Sequence, residues 1–258
     1  MSYKLLSQEG ATHLVQVNVC IKDCAVLLDK GSTPVIDRLF PGMQTRPEPG
    51  FDFAVTIDCD AHKNSEAMLK NISEIKRNLM SGPLELAFTN LLAGKKDGPV
   101  TVINYRKSEK IFVCPSGGKV AVIFLVSFED ITDKALAKVF LQEFVEAQRS
   151  LRSAPPVGFS KEPPRELAGV TFTQDRDSIG FISFSFEDRH VQGPKLQSAI
   201  TNLAGFRSYI LYHIKCSKTY LHMRMRKKVD SWLLVLNRAV PEVETEKKTA
   251  AGKTFTRK

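Results

Sequence analysis

The chain has 258 residues, of which 43% are hydrophobic, so it can bury a sizeable core and does not have the composition of a disordered protein. Its apolar runs are too short to cross a bilayer, its N-terminus shows no secretory signal pattern and its five cysteines form no C-x-x-C pair, so we expect an intracellular protein with no membrane insertion and no disulfide bond. The formal net charge of +9 favours an anionic partner.

The first block of the chain contains both strand and helix patterns, and we predict that residues 1–80 form an N-terminal domain. The predicted elements are a strand at residues 13–21, a helix at 24–39, a strand at 51–57 and a helix at 65–80. Ser65 is the expected N-cap of the second helix. Gly82 and Pro83 are expected to interrupt the chain before a further helix at 84–92, so the domain boundary is placed near residue 80.

Residues 81–258 are predicted to form a C-terminal domain with the same order of strands before helices. The predicted elements are strands at residues 100–105, 110–114 and 119–128, a helix at 133–151, and strands at 157–160 and 179–186. Short turns join the first three strands, which should therefore pair as an antiparallel meander. Without regular β-α-β alternation, the fold class is α+β, with two domains of antiparallel sheet covered by helices.

The second domain is predicted to end in one very long α-helix at residues 194–240, followed by a basic tail at 241–258. A mainly apolar stripe recurs along this helix in steps of three or four residues once Arg207 is counted in its one gap. The stripe consists of Leu196, Ile200, Leu203, Ile210, Ile214, Ser217, Leu221, Met225, Val229, Trp232 and Leu236. Such a helix would span ~70 Å, whereas a compact globule of this length is only about 45 Å across. Part of the helix should therefore lie against a partner.

Aromatic residues beside this stripe are expected to widen the apolar side of the helix, and such a broad face suits burial between two bodies. The residues expected at an interface with a partner subunit are Phe206, Tyr209, Ile210, Ile214, Leu221, Met225, Trp232 and Leu236. For each residue singly, a place in the chain's own core is an equal alternative. The excess length of the helix favours the interface for the set.

The basic residues are concentrated in the same region. Residues 194–258 contain fourteen Lys and Arg against four Asp and Glu, whereas the preceding 193 residues contain 23 against 24. The candidate partners are nucleic acid, an anionic membrane face or an acidic protein surface. The residues expected to contact the anionic partner are Arg224, Arg226, Lys227, Lys228, Lys247, Lys248, Lys253 and Arg257.

A catalytic site is not predicted. The chain has no G-x-x-x-x-G-K-[ST], G-x-S-x-G or H-E-x-x-H motif, and no G-x-G-x-x-G after a strand. His213 and His222 are nine residues apart and fall on opposite sides of the helix, so they cannot share a metal ion within one chain. We therefore expect a protein that is not an enzyme and holds neither cofactor nor metal.

Several stretches between residues 98 and 258 resemble one protein family in sequence, order and spacing. They include KVFLQEF at 138–144, EPP at 162–164, YHIKCSK at 212–218, MRMR at 223–226 and VLNRA at 235–239. Together they are similar to the family of subunit 2 of the actin-related protein 2/3 complex, the assembly that nucleates branched actin filaments. The helix and hairpin that usually open the family's first domain have no obvious counterpart before Ala11, so that domain is expected to be trimmed.

The resemblance implies a scaffold subunit of the cytoplasm and cytoskeleton, with two α/β domains of related topology. It implies that the long helix lies against the equivalent helix of subunit 4, and that the chain contacts the other subunits and the side of an actin filament rather than nucleic acid. In the family ATP is bound by the actin-related subunits. The alternatives are a nucleic-acid-binding protein that uses the basic helix, with Phe181, Phe184 and Phe186 as stacking residues, and an uncharacterised enzyme.

Overall fold

The computed structural model describes residues 2–8, 11–63, 65–104, 106, 108–151, 153–238, 247–248 and 254–255. The strands are β1 Ser2–Gln8, β2 Ala11–Cys20, β3 Gln44–Thr45, β4 Phe53–Asp58, β5 Thr101–Asn104, β6 Lys110–Ser116, β7 Lys119–Ser127, β8 Val157–Ser160, β9 Ser178–Phe186, β10 Lys247–Lys248 and β11 Thr254–Phe255. The helices are α1 Cys24–Leu27, α2 Thr33–Leu39, α3 Glu66–Ser73, α4 Ile75–Leu92, α5 Ile131–Arg149, α6 Asp188–Val191 and α7 Lys195–Arg238, with a π-helical turn at Leu28–Ser32 and a 3-10 turn at Arg165–Leu167. Antiparallel sheets with helices and a long C-terminal helix confirm the predicted α+β class.

The chain divides into two compact units, Met1–Ile214 and Lys215–Lys258. The first unit contains the two larger sheets, and one hydrophobic cluster includes residues of both. The second unit contains the C-terminal part of α7 and the two-stranded sheet of β10 and β11. The predicted domain boundary near residue 80 falls inside α4.

The first sheet has the strand order β1-β2-β4-β3, with all neighbours antiparallel. Val17 pairs with Leu5 on one side and with Val55 on the other, and Val17 and Val55 face the core. No strand was predicted before residue 13, whereas β1 lies before Ala11 and forms a hairpin with β2. The sequence signal of β1 is weak because none of its described side chains is fully buried, and Leu5 is 66% exposed.

The interruption predicted at Gly82 and Pro83 is also wrong, since α4 runs through both residues. Pro83 has no N–H to donate to the carbonyl of Leu79, and the hydroxyl of Ser32 donates to that carbonyl instead, at 2.5 Å. Gly82 permits this approach, because a Cβ atom at this position would lie 2.4 Å from Cα of Ser32. The two helices separate at Glu74 instead, while the predicted Ser65 cap accepts a hydrogen bond from the N–H of Met68.

The second sheet has the strand order β5-β6-β7-β9-β8 and is antiparallel throughout, which confirms the predicted meander. Phe184 and Phe186 of β9 lie in the large core, whereas Phe181 lies in a smaller cluster with Leu167 on the other face. All three phenylalanines are buried. They are therefore not available to stack on nucleic-acid bases, so the nucleic-acid-binding alternative loses its proposed stacking residues.

Helices α5 and α7 pack on the face of this sheet that carries Phe184. The ring of Phe206 in α7 lies 5.2 Å from that of Phe124 in β7 and 4.8 Å from that of Phe184, measured between ring centres. Phe144 of α5 completes the cluster, 5.9 Å from Phe206. This aromatic contact packs the N-terminal part of α7 against the sheet.

Candidate interaction surfaces

The apolar stripe of α7 changes from buried to exposed along the helix. At about 100° per residue, Ile210, Ile214, Leu221 and Trp232 fall on the same side of the helix. Ile210 and Ile214 are 0% and 1% exposed, whereas Leu221 is 41% and Trp232 is 66% exposed. The described residues therefore cover the first part of the stripe and leave the second part open.

Arg207 occupies the polar gap in this stripe and forms a buried ion pair. Its Nε donates to Oε1 of Glu109 at 2.5 Å, and its Nη2 donates to the carbonyl oxygen of Ser127 at 3.1 Å. Its guanidinium carbon lies 4.2 Å from the centre of the Phe128 ring. Because Glu109 directly precedes β6, the ion pair connects α7 to the second sheet. Sequence reasoning missed Glu109, since no local pattern marks a partner 98 residues away.

The structure separates the eight predicted interface residues into two groups. Three are buried in the chain's own core: Phe206, Ile210 and Ile214. Five are exposed: Tyr209, Leu221, Met225, Trp232 and Leu236. The buried three already complete the core under α7, so only the exposed five remain candidates for contact with a partner.

The exposed part of α7 has two apolar faces. Residues within an arc of about 80° form what we call the leucine face: Leu221, Met225, Val229, Trp232 and Leu236. Residues about 140° or more from the centre of that arc form a second exposed apolar surface on the same unit: Tyr220 and Met223. Tyr209 and Tyr212 are exposed on the part of α7 that belongs to the first unit. Exposed apolar surface of this extent is typical of protein interaction sites.

The predicted basic residues lie mainly on the second unit. Four are exposed on α7: Arg224, Arg226, Lys227 and Lys228. Nη1 of Arg224 donates to the hydroxyl of Tyr220 at 3.1 Å. Within the described part of the chain, no ion pair involves Arg226, Lys227 or Lys228. Lys247 and Lys248 form β10, whereas Lys253 and Arg257 lie outside the described residues.

A groove of about 680 Å³ forms a further candidate site, bordered by α5, β9 and the first turns of α7. Its lining is mostly apolar and includes the rings of Phe144, Phe184 and Phe206. Gly205 and Tyr209 contribute to the wall formed by α7. Ligand sites in proteins commonly measure roughly 300 to 1,000 Å³ and combine an apolar lining with a few polar groups, as this groove does.

The polar lining of the groove includes His190 in a defined protonation state. The N–H of Glu187 donates to Nδ1 of His190 at 3.0 Å, so the proton of the neutral ring is on Nε2. Among the described residues, Nε2 finds no hydrogen-bond partner. Burial, assisted by the charge of Arg189, lowers the pKa of His190 below its ordinary value of 6.5. The ring therefore offers an unused N–H donor at neutral pH.

Acidification is expected to open α6 locally. Because the folded-state pKa of His190 is below its unfolded value of 6.5, the neutral ring contributes stability that is fully present above pH 6.5 and is lost as the pH falls through and below it. Protonation also removes the acceptor of the Glu187 N–H. Hydrogen-exchange protection of residues 186–192, corrected for the intrinsic pH dependence, should fall more between pH 7.5 and 5.5 in the wild type than in His190→Gln. Equal losses would contradict the assignment.

Other chemistry has little support among the described residues. They contain no group of three or more His, Cys, Asp or Glu side chains that could hold a metal ion. No helix among them is long and apolar enough to span a membrane. Burial raises the pKa of Cys24 to about 11 and that of Cys114 to about 12, so neither thiol is an active nucleophile at neutral pH.

Comparison with known proteins gives consistent matches over most of the chain. Residues 17–243 match the model of a family described as Arp2/3 complex, 34 kD subunit p34-Arc. A protein of Dictyostelium discoideum named actin-related protein 2/3 complex subunit 2 is 37% identical over 245 residues, which cover 93% of this chain and 83% of that protein. A protein of the same name from Schizosaccharomyces pombe is 33% identical over 281 aligned residues, which cover 100% of this chain and 88% of that protein.

Proposed function

Because this chain belongs to the p34-Arc family, the 34 kD subunit of the Arp2/3 complex, we propose that it is a non-enzymatic structural subunit of that complex and takes part in the nucleation of branched actin filaments. The observation that carries this function is the exposed leucine face of α7, which no described residue covers. A subunit of this kind works in the cytoplasm, at the actin cytoskeleton.

The leucine face is the proposed contact with a neighbouring subunit. Its residues recur at the period of a straight helix, so a single helix of the partner can lie along them. We assign this partner helix to subunit 4 of the complex. Leu221 and Trp232 are the central anchors, because large apolar and aromatic side chains contribute most of the binding energy at protein interfaces.

The basic residues are the proposed contact with the side of an actin filament. Actin presents acidic surface, and the exposed cations from Arg224 to Lys228 have few acidic neighbours of their own. Like charges in such a cluster repel one another, and an anionic partner relieves this repulsion. The contact should weaken as the salt concentration rises, since exposed charge pairs are screened.

Charge reversal of this cluster tests the actin contact. Changing Arg224, Arg226, Lys227 and Lys228 to glutamate should weaken co-sedimentation of the assembled complex with actin filaments by about tenfold or more, because each exposed charge contact contributes up to about 1 kcal/mol. The matched control changes four exposed lysines elsewhere to glutamate: Lys22, Lys63, Lys96 and Lys161. Unchanged co-sedimentation of the α7 variant, in a complex that still assembles, would contradict the proposed contact.

A further inference from the structure

We propose that three basic residues of α7, Arg224, Arg226 and Lys228, select the helix that the leucine face accepts. They admit a helix whose apolar stripe is flanked by aspartate or glutamate, and they reject a second copy of this chain. This inference rests on the proposed function, because it takes the helix pairing from there and adds the chemistry of the partner. It concerns only residues of the second unit, within one continuous helix.

The three basic residues lie on both sides of the leucine face. At about 100° per residue, Lys228 lies about 60° and Arg224 about 100° from the centre of the face on one side, and Arg226 lies about 100° from it on the other. All three are exposed. In paired helices, the charges at such flanking positions decide which helices pair. The three side chains therefore reach the edges of any helix that packs on the leucine face.

No negative charge within α7 balances these flanks. Asp230 is the one acidic residue of this helix, and it lies about 140° from the centre of the leucine face. Arg224 bonds to the neutral hydroxyl of Tyr220, at 3.1 Å. A partner helix with acidic residues on both sides of its apolar stripe would place opposite charges along both edges of the pair.

The apolar residues of the leucine face alone also suit a second copy of the chain. In an antiparallel pair related by a two-fold axis near residue 228, Leu221 of one copy faces Leu236 of the other, and Met225 faces Trp232. Large apolar side chains thus meet large apolar side chains along the whole face. Something other than the apolar pattern must therefore distinguish the partner from a second copy.

The flanking charges oppose this self-pairing in either orientation. In the antiparallel pair the two copies of Lys228 meet near the two-fold axis, between helices whose axes are roughly 8 to 10 Å apart. In a parallel pair, Arg226 of one copy lies beside Arg224 and Lys228 of the other. Like charges along an interface reject a wrong partner, which is a common source of specificity between helices.

The same residues remain compatible with the proposed actin contact. The edges of a helix pair are polar and accessible to solvent, so a cation there can also meet an acidic surface beside the pair. Lys227 lies about 160° from the centre of the leucine face and is therefore directed away from a partner helix. Lys227→Glu should consequently leave recovery of subunit 4 unchanged in a pull-down.

Two synthetic helical peptides test the selection by the full chain. Both carry the same leucine stripe in steps of three and four residues, with glutamate on both sides of it in one peptide and lysine in the other. The wild-type chain should bind the glutamate peptide about tenfold or more tightly, measured by fluorescence anisotropy, because several attractive charge pairs become repulsive in the lysine peptide. Changing Arg224, Arg226 and Lys228 to glutamine should remove most of this preference.

The matched control changes three exposed lysines elsewhere to glutamine: Lys22, Lys63 and Lys96. It alters the net charge equally and should keep the preference. The ratio of the two affinities is measured within each variant, so a partial loss of folded protein does not change it. An equal loss of preference in the control, or equal affinity of the wild type for both peptides, would overturn the proposed selection. A wild-type chain that prefers the glutamate peptide but recovers no subunit 4 would overturn the assigned partner and leave the selection intact.

Analytical ultracentrifugation of the chain without other subunits tests the rejection of a second copy. The wild type should sediment as a monomer at physiological salt, whereas the triple glutamine variant should form a dimer as its concentration rises, because the like charges at the interface are gone. A wild type that dimerises as readily as the variant would overturn this part of the inference, as would a variant that stays monomeric.

Discussion

Simultaneous replacement of Leu221, Met225 and Trp232 by aspartate is expected to abolish co-purification of the chain with subunit 4. These side chains lie on the leucine face, and each is at least 41% exposed in the structure. Burying a large apolar side chain stabilises an assembly by about 1.5 to 3 kcal/mol, so three losses remove several kcal/mol before the cost of placing charges in the interface is counted. The expected fall in affinity is on the order of a thousandfold or more.

Co-expression with subunit 4 and pull-down of the tagged chain measures this effect. The matched control changes Thr219 and Ser231 to aspartate, because both are exposed on α7 but lie outside the leucine face. The control variant should co-purify as the wild type does. Normal recovery of subunit 4 with the triple variant would show that this face does not form the contact.

Breaking the ion pair between Arg207 and Glu109 is expected to lower the free energy of unfolding more than the other substitutions proposed for this chain. In Arg207→Met the carboxylate of Glu109 stays buried without its main partner, and such a loss costs about 3 to 5 kcal/mol. Replacing both residues, with Glu109→Leu added to Arg207→Met, should recover part of that loss: no buried charge remains, but the N–H and the carbonyl of Ser127 lose their partners. The free energy of unfolding from urea titration measures both variants.

Arg207→Lys is the control for geometry in this series. Lysine keeps the charge but lacks the planar fork that reaches both Oε1 of Glu109 and the carbonyl of Ser127, so an intermediate stability is expected. Wild-type stability of Arg207→Met, or a double variant no more stable than the single one, would exclude a dominant role for the pair.

Local periodicity in the sequence was sufficient to predict α7 and the antiparallel meander, because both depend on regular spacing of apolar residues. Periodicity could not distinguish Ile214 from Leu221, which share one side of the same helix but differ in burial. What covers a face depends on tertiary and quaternary contacts that lie far away in the chain. The partner of Arg207 was missed for the same reason, since Glu109 is 98 residues distant.

The wrong interruption at Pro83 has a different physical origin. Proline normally ends a helix because it leaves the carbonyl four residues earlier without a donor. Here the hydroxyl of Ser32 supplies that donor from another segment, so the local rule fails through a tertiary hydrogen bond. The groove was missed because its lining comes from separate elements whose proximity no sequence pattern encodes.

The hydrogen bond from Ser32 to Leu79 also has an evolutionary consequence. A proline at position 83 is tolerable only while position 32 carries a hydroxyl donor, and that donor fits only while position 82 lacks a side chain. Loss of the hydroxyl would leave the buried carbonyl of Leu79 without a hydrogen-bond donor, unless a residue with an N–H had already replaced Pro83. The effect of a substitution at position 32, 82 or 83 therefore depends on which residues already occupy the other two positions. We expect the residues at these three positions to covary within the family.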